Sequence, residues 1–380
     1  MTTRNVSTEN KPKGRIAGLD GFRAIAVSAV FLHHSLAPPG VFGALGVWMF
    51  FVLSGFLVLP IAQKGIDRRP TGALKERVGA VARFSFNRFL RIFPIYYGLL
   101  ALLGLVALTG ATFKPIPGYI AGAKYFWTYT TNFYIAARND FIDVFTHLWS
   151  LAIEFQFYVI VAVLIFVIPR GTFRPLVAVL YVACLAWTAK LVAGGDSAAV
   201  YVNSIIGFGM MLLGGLTAFA LNHRPFADRL RKISMPLVAL ALLVGTHLAL
   251  NLAGFHGATY FVTPLLSALT IAMIALKPEA LGFLEWRPLR EMGVFSYGFY
   301  LYHLFIIATF RIAFDKIADL SGIEYVSVLY VPAAFFATIA VSMASWYWFE
   351  KKILAYKMGQ SVPVSSREAP ARDLVAATTD

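Results

Sequence analysis

The chain has 380 residues, of which 59% are hydrophobic and 14% charged, with a mean hydropathy of +0.70. A soluble domain carries about 25% charged residues, so composition excludes one and requires an integral membrane protein. The net charge of +14 does not indicate nucleic acid as a partner, because the basic residues cluster in alternate loops between apolar runs.

Apolar runs of about 17–25 residues read as membrane helices. Ten are expected, near 21–38, 42–62, 93–111, 146–168, 174–193, 200–221, 234–252, 258–277, 294–314 and 325–349. The fold class is therefore all-α, a polytopic membrane helix bundle. Basic residues crowd the segment before the first span, the one after the second, and the loops after the sixth, eighth and tenth. That alternation places both termini in the cytoplasm and the protein in the cell (inner) membrane. The first span ends at APPG, and proline after the small residues disfavours signal cleavage, so it reads as a retained helix.

The expected organisation is a cytoplasmic segment at 1–20, a membrane domain at 21–352 and a cytoplasmic tail at 353–380. Residues 74–92 interleave Arg with Phe and Val at helical spacing, as in an amphipathic helix on the cytoplasmic surface. Residues 112–145 read as an outside loop or a partly inserted segment. Residues 358–380 lack an apolar face and read as a disordered tail. No internal repeat is visible. The single cysteine, Cys184, excludes an intrachain disulfide and a Cys-rich metal site.

Taken in chain order, five segments carry chemistry. Arg23 and His34 are eleven steps apart, which returns to within ~20° on a helix, so both lie on one face ~16 Å apart. Arg23 serves either as a positive-inside anchor or as a holder of an anion. His34 is deep in apolar sequence, where an ionisable group is costly and marks a functional site. Its imidazole can take a proton from a hydroxyl and return it, and His33 beside it points elsewhere. In GVWMFFVLSGFLV, Ser54-Gly55 favours close helix packing, and no nucleophile elbow surrounds the serine. Arg88 and Arg91 share a helix face and suit phosphate, of a lipid headgroup or of a ligand.

In HLWSLAIEFQFY, Glu154 is a lone carboxylate that must be paired, protonated or facing a polar cavity, with His147 near the same face. In GVFSYGFYLYHLF, His303 lies mid-span with Tyr297, Tyr300 and Tyr302 close by, either as a structural network or as part of a site. WYWFEKKI ends the last span and reads as an anchor. His223, His247 and His256 fall near span ends with no evident partner. No metal-ligand spacing, P-loop or dinucleotide fingerprint appears.

Together, LDGFRAIAVSAVFLHH, GVWMFFVLSGFLV, NRFLRIFP, HLWSLAIEFQFY and GVFSYGFYLYHL, in this order, resemble the acyltransferase-3 family of membrane acyltransferases, over nearly the whole chain. The family's Arg-x10-His falls on Arg23 and His34, its Arg-x-x-Arg on Arg88 and Arg91, and its glutamate after Trp-Ser-Leu on Glu154. Where relatives often show Glu-Glu-Gln-Phe-Tyr, this chain has Glu154-Phe155-Gln156-Phe157-Tyr158, so one carboxylate is available. The proline that usually follows Phe-Glu-Lys is Lys352 here. Many relatives carry a fused hydrolase-like domain, and none is expected here.

The resemblance implies transfer of an acyl group, usually acetyl, from a cytoplasmic coenzyme A thioester to a hydroxyl. The acceptor is expected to be a carbohydrate, a glycolipid or a small molecule. Arg88 and Arg91, with Arg23 as a further candidate, hold the nucleotide phosphates. His34 is the general base, Glu154 orients or charges the site, and His303 and Tyr300 form a second polar wall. Acyl-CoA is a donor substrate, and no permanently bound cofactor or metal is expected. The rival readings are a transporter or flippase of a polar lipid or sugar, which needs similar buried charges, and a membrane sensor.

Overall fold

The computed structural model describes residues 16–36, 42–69, 71–110, 115–195, 197–323 and 328–357. Most of the basic N-terminal segment, the turn after the first span and the expected disordered tail lie outside the described residues.

Every regular element among the described residues is helical. The chain runs through α1 (Leu19–Ser35), α2 (Phe42–Asp67), α3 (Leu74–Leu108), α4 (Pro115–Trp127), α5 (Thr131–Arg138), α6 (Leu148–Val167), α7 (Phe173–Ala193) and α8 (Ala198–Tyr201). It continues through α9 (Ser204–Leu221), α10 (Arg224–Ile233), α11 (Pro236–Leu252), α12 (His256–Leu276), α13 (Arg287–Val294), α14 (Ser296–Ser321), α15 (Tyr330–Ser345) and α16 (Lys351–Leu354).

Among the described residues, eight helices are long and apolar enough to cross a membrane, and a ninth counts if α10 and α11, bent by 79°, form one broken span. The remaining expected span is α1, whose 17 residues make ~26 Å of helix. All ten expected spans thus fall on helices, and the chain is a multi-pass membrane protein.

The expected surface helix at 74–92 is not a separate element. It runs into the third span as one 35-residue helix, α3, with Pro94 inside. Membrane helices tolerate such a proline, and two residues before it the Ile92 carbonyl accepts from the Tyr297 hydroxyl at 3.1 Å. At ~52 Å, α3 exceeds the ~30 Å hydrocarbon layer, so it has length for both the basic segment and the span. The aromatic stretch before α6 folds as α4 and α5. Tyr96 donates to the Phe126 carbonyl at 2.8 Å and Tyr119 to the Leu100 carbonyl at 2.9 Å, which fasten α4 to α3.

Burial sorts the spans: 72% of the apolar window of α2 and of α12 is buried, against 11% in α7, which leaves α7 to lipid. At the centre α2 meets α9 through glycine. A Cβ on Gly55 would strike the Met211 carbonyl, and one on Gly214 the Val52 carbonyl, so the two backbones touch.

Part of the basic edge is structural. Arg69 is 3% exposed and donates to the Ile165 and Ile168 carbonyls at 2.6 and 2.5 Å, while Arg77 donates to Phe166 at 2.7 Å. These carbonyls end α6 and have no helical partner of their own, and the guanidinium groups satisfy them.

Candidate active site

Two of the cavities among the described residues gather most of the expected site side chains. The first, of about 80 Å³, is lined by Arg23 of α1, Ser54 of α2, Arg88 and Arg91 of α3, Glu154 and Tyr158 of α6, and Ser296, Tyr297 and Tyr300 of α14. The second, of about 620 Å³, is lined by His33 and His34, His147 and Trp149, Asp143, Tyr201, Asn251 and again Tyr300. Only Val47 and Tyr300 line both, so these two side chains stand where the cavities meet.

The smaller cavity is electropositive. It holds three guanidinium groups and one carboxylate, and none of the three is in ion-pair contact with a carboxylate among the described residues. Glu154 instead accepts from the Ser54 hydroxyl and, at 2.5 Å, from the Tyr158 hydroxyl. Arg88 lies 5.8 Å from the centre of the Tyr158 ring and 6.0 Å from that of Phe84, which fixes its head group in the wall. Ser296 is 1% exposed, and its hydroxyl has no hydrogen-bond partner among the described residues. Beyond α16, burial and the guanidinium groups of Arg91 and Arg88 push the Lys357 ammonium down to about 8. A concave site with surplus fixed positive charge and an unsatisfied hydroxyl is suited to a polyanion with a polar arm.

Among the described residues, the larger cavity has no Lys or Arg in its lining. His34 packs against His33 and His303, with ring centres 4.8 and 5.3 Å apart. His303 is fully buried, lines neither cavity and stands behind His34. Its Nδ1 lies 2.6 Å from the Tyr300 carbonyl, so Nδ1 carries the hydrogen and Nε2 is the acceptor in the neutral ring. That Nε2 has no partner among the described residues. His147 donates from Nε2 to the Leu301 carbonyl at 3.1 Å, tying the start of α6 to α14.

Arg23, Arg88, Arg91, Glu154 and Tyr300 therefore converge, whereas His34 is across the junction from them. In the fold Glu154 keeps the company of the arginines. It lies about two turns into α6, deep enough to reach the smaller cavity.

Sequence reasoning treated Ser54 as packing. Gly55 does pack, but Ser54 turns to Glu154. It also passed over Ser150 and Tyr158, which with Glu154 form a polar stripe at i, i+4 and i+8 on a helix whose remaining polar residue is Gln156. His247 and His256 do have a shared partner, Asn251: its amide nitrogen meets His247, and its oxygen lies 3.1 Å from His256 Nδ1. The terminal anchor motif buries Glu350, to which Ser345 donates at 2.9 Å.

This arrangement defines a class: a multi-pass helical protein with an arginine-lined cavity beside an imidazole-lined one, Val47 and Tyr300 lining both. The chain belongs to the acyltransferase-3 family, whose acyltransferase domain matches residues 16–347, and it is a membrane acyltransferase. It is 26% identical over 375 residues to a Komagataeibacter xylinus protein described as a membrane-bound transacylase, BcsY, covering 96% of this chain and 89% of that one. It is 30% identical over 318 residues to the O-acetyltransferase OatA of Staphylococcus aureus, covering 77% of this chain and 50% of that one. It is 28% identical to the peptidoglycan O-acetyltransferase OatA of Listeria monocytogenes over 317 residues. The chain thus spans about half the length of the OatA proteins. No solved structure matches it.

Proposed function

We propose that the chain transfers an acyl group, acetyl in the simplest case, from acyl-CoA to a hydroxyl of a carbohydrate or related acceptor. The observation that carries this reading is the meeting of a cationic cavity and a cation-free imidazole cavity at Tyr300 and Val47.

The nucleotide phosphates bind Arg88 and Arg91, with Arg23 deeper on the same anion path. The positive-inside bias puts this end at the cytoplasmic face of the cell membrane, where acyl-CoA is made. The pantetheine arm passes Ser296 and Tyr297 and brings the thioester to the junction. The acceptor enters the larger cavity, where His34 takes the proton of its hydroxyl as the oxygen attacks the thioester carbon. The C–O bond forms, the tetrahedral intermediate collapses, the C–S bond breaks, and His34 returns the proton to the leaving thiolate. Such proton transfer contributes about 10²–10⁴ in rate. His303 backs the imidazole. Glu154 holds Ser54 and Tyr158 in place and partly offsets the three arginine charges.

The names of the OatA relatives support O-acetyl transfer, and the Listeria one supports a glycan acceptor. The test is purified protein in nanodiscs with acetyl-labelled acetyl-CoA and cell-envelope glycans. Label in the glycan fraction is expected. Passage of a labelled sugar or polar lipid across sealed vesicles with no acyl label transferred identifies a transporter instead.

A further inference from the structure

Resting on that acyl-transfer reading, we infer that the Tyr300 hydroxyl, backed by Ser150, is the hydrogen-bond donor that stabilises the oxyanion of the tetrahedral intermediate. A thioester anchored at the arginines and attacked from the histidine cavity must place its carbonyl where the two cavities meet, beside Tyr300 and Val47. Attack moves the carbonyl π electrons onto oxygen, and that charge needs a donor fixed in advance.

At Val47 and Tyr300, the two residues the cavities share, the amide hydrogens are bonded within α2 and α14. Val47 has no polar atom in its side chain. Ser54 already donates to Glu154, and His303 lines neither cavity.

Tyr300 and Ser150 have a hydrogen to spare. The Tyr300 hydroxyl lies 2.6 Å from Ser150 Oγ and 3.2 Å from the His147 carbonyl, and Ser150 Oγ lies 3.1 Å from that same carbonyl. Two O–H groups thus converge on one carbonyl. With Ser150 donating to the Tyr300 oxygen at 2.6 Å, the Tyr300 hydrogen is free to turn from the His147 carbonyl toward a ligand. The Tyr300 backbone is held separately, because its carbonyl accepts from His303 Nδ1 at 2.6 Å. One residue therefore faces the substrate through its side chain and ties down the ring behind His34 through its main chain.

The experiment uses the full chain in nanodiscs and two measurements. The first is thiol release from acetyl-CoA, with water as acceptor. The second is binding of two non-hydrolysable thioethers, acetonyl-CoA and trifluoroacetonyl-CoA. The trifluoroketone hydrates and so mimics the tetrahedral oxygen. Tyr300→Phe is expected to lower the maximal rate roughly 10²–10³-fold with acetonyl-CoA affinity within about threefold, and to abolish the preference for the trifluoro analogue.

Ser150→Ala, which keeps the phenol, is expected to lower the rate less than Tyr300→Phe and to weaken that preference without removing it. It is the informative variant if Tyr300→Phe does not fold. A Tyr300→Phe protein that keeps its rate and its analogue preference within twofold overturns this assignment alone, as does a Ser150→Ala protein with an unaltered preference. A wild-type protein that binds neither analogue and releases no thiol overturns the acyl-transfer reading as well.

Discussion

The Tyr158 hydroxyl donates to Glu154 Oε1 at 2.5 Å from one helical turn further along α6, and Arg88 sits over the same ring. Ser54 donates to that oxygen too, so a lone membrane carboxylate is satisfied by two hydroxyls rather than by a cation. Glu154→Ala leaves both hydroxyls without this acceptor, at roughly 1–3 kcal/mol each, and a lowered melting temperature is expected. Glu154→Gln keeps an acceptor and removes a negative charge beside the proposed phosphate site. Its CoA affinity should be no weaker than wild type, while turnover falls about tenfold or more, equal to about 1.4 kcal/mol of barrier. Calorimetric binding and initial rates on the same preparation separate the two effects.

Arg88 and Arg91 share one face of α3 and one cavity. With each charge-assisted phosphate bond contributing about 1.5–3 kcal/mol, Arg88→Ala with Arg91→Ala should weaken acetyl-CoA binding by roughly 10²–10⁴-fold. Acetylpantetheine, which lacks the nucleotide, should bind both proteins alike. Equal loss for both ligands points to a collapsed cavity rather than a missing phosphate contact.

Lys357 supplies a pH dependence. Its ammonium is pushed down to about 8 by burial and by Arg91 and Arg88, so in the free protein it is charged below that pH and neutral above it. Bound phosphates favour the charged form, so donor binding takes up a proton at higher pH. Donor affinity is therefore full below about pH 8 and falls as pH rises through it. Lys357→Ala should flatten the binding curve between pH 7 and 9. The same shift has the opposite sign for stability, which rises with pH above about 8 because the unfolded chain holds the proton longer.

Much of the bundle was legible because a membrane leaves few choices: long apolar runs become helices. Arg23 and His34 were placed on one face by helical period alone, and α1 runs unbroken through both. What failed to show was anything set by rotation or contact. The run at 74–92 read as a separate surface helix, yet α3 continues through Pro94 into the third span. His303 and Tyr300 were read as one polar wall, and the roll of α14 separates them, the tyrosine lining both cavities and the histidine packing on His34. The Ser150–Glu154–Tyr158 stripe was readable, and only the pull of the lone charge hid it.

The central claim is that the His34 imidazole activates the acceptor hydroxyl while the donor is held from the other side of the junction. The direct measurement is acyl transfer by His34→Gln in nanodiscs, with acetyl-CoA binding measured on the same protein. Binding within about twofold of wild type and a transfer rate lowered at least ~10²-fold are expected. Transfer at the wild-type rate by a folded, donor-binding His34→Gln protein contradicts the account.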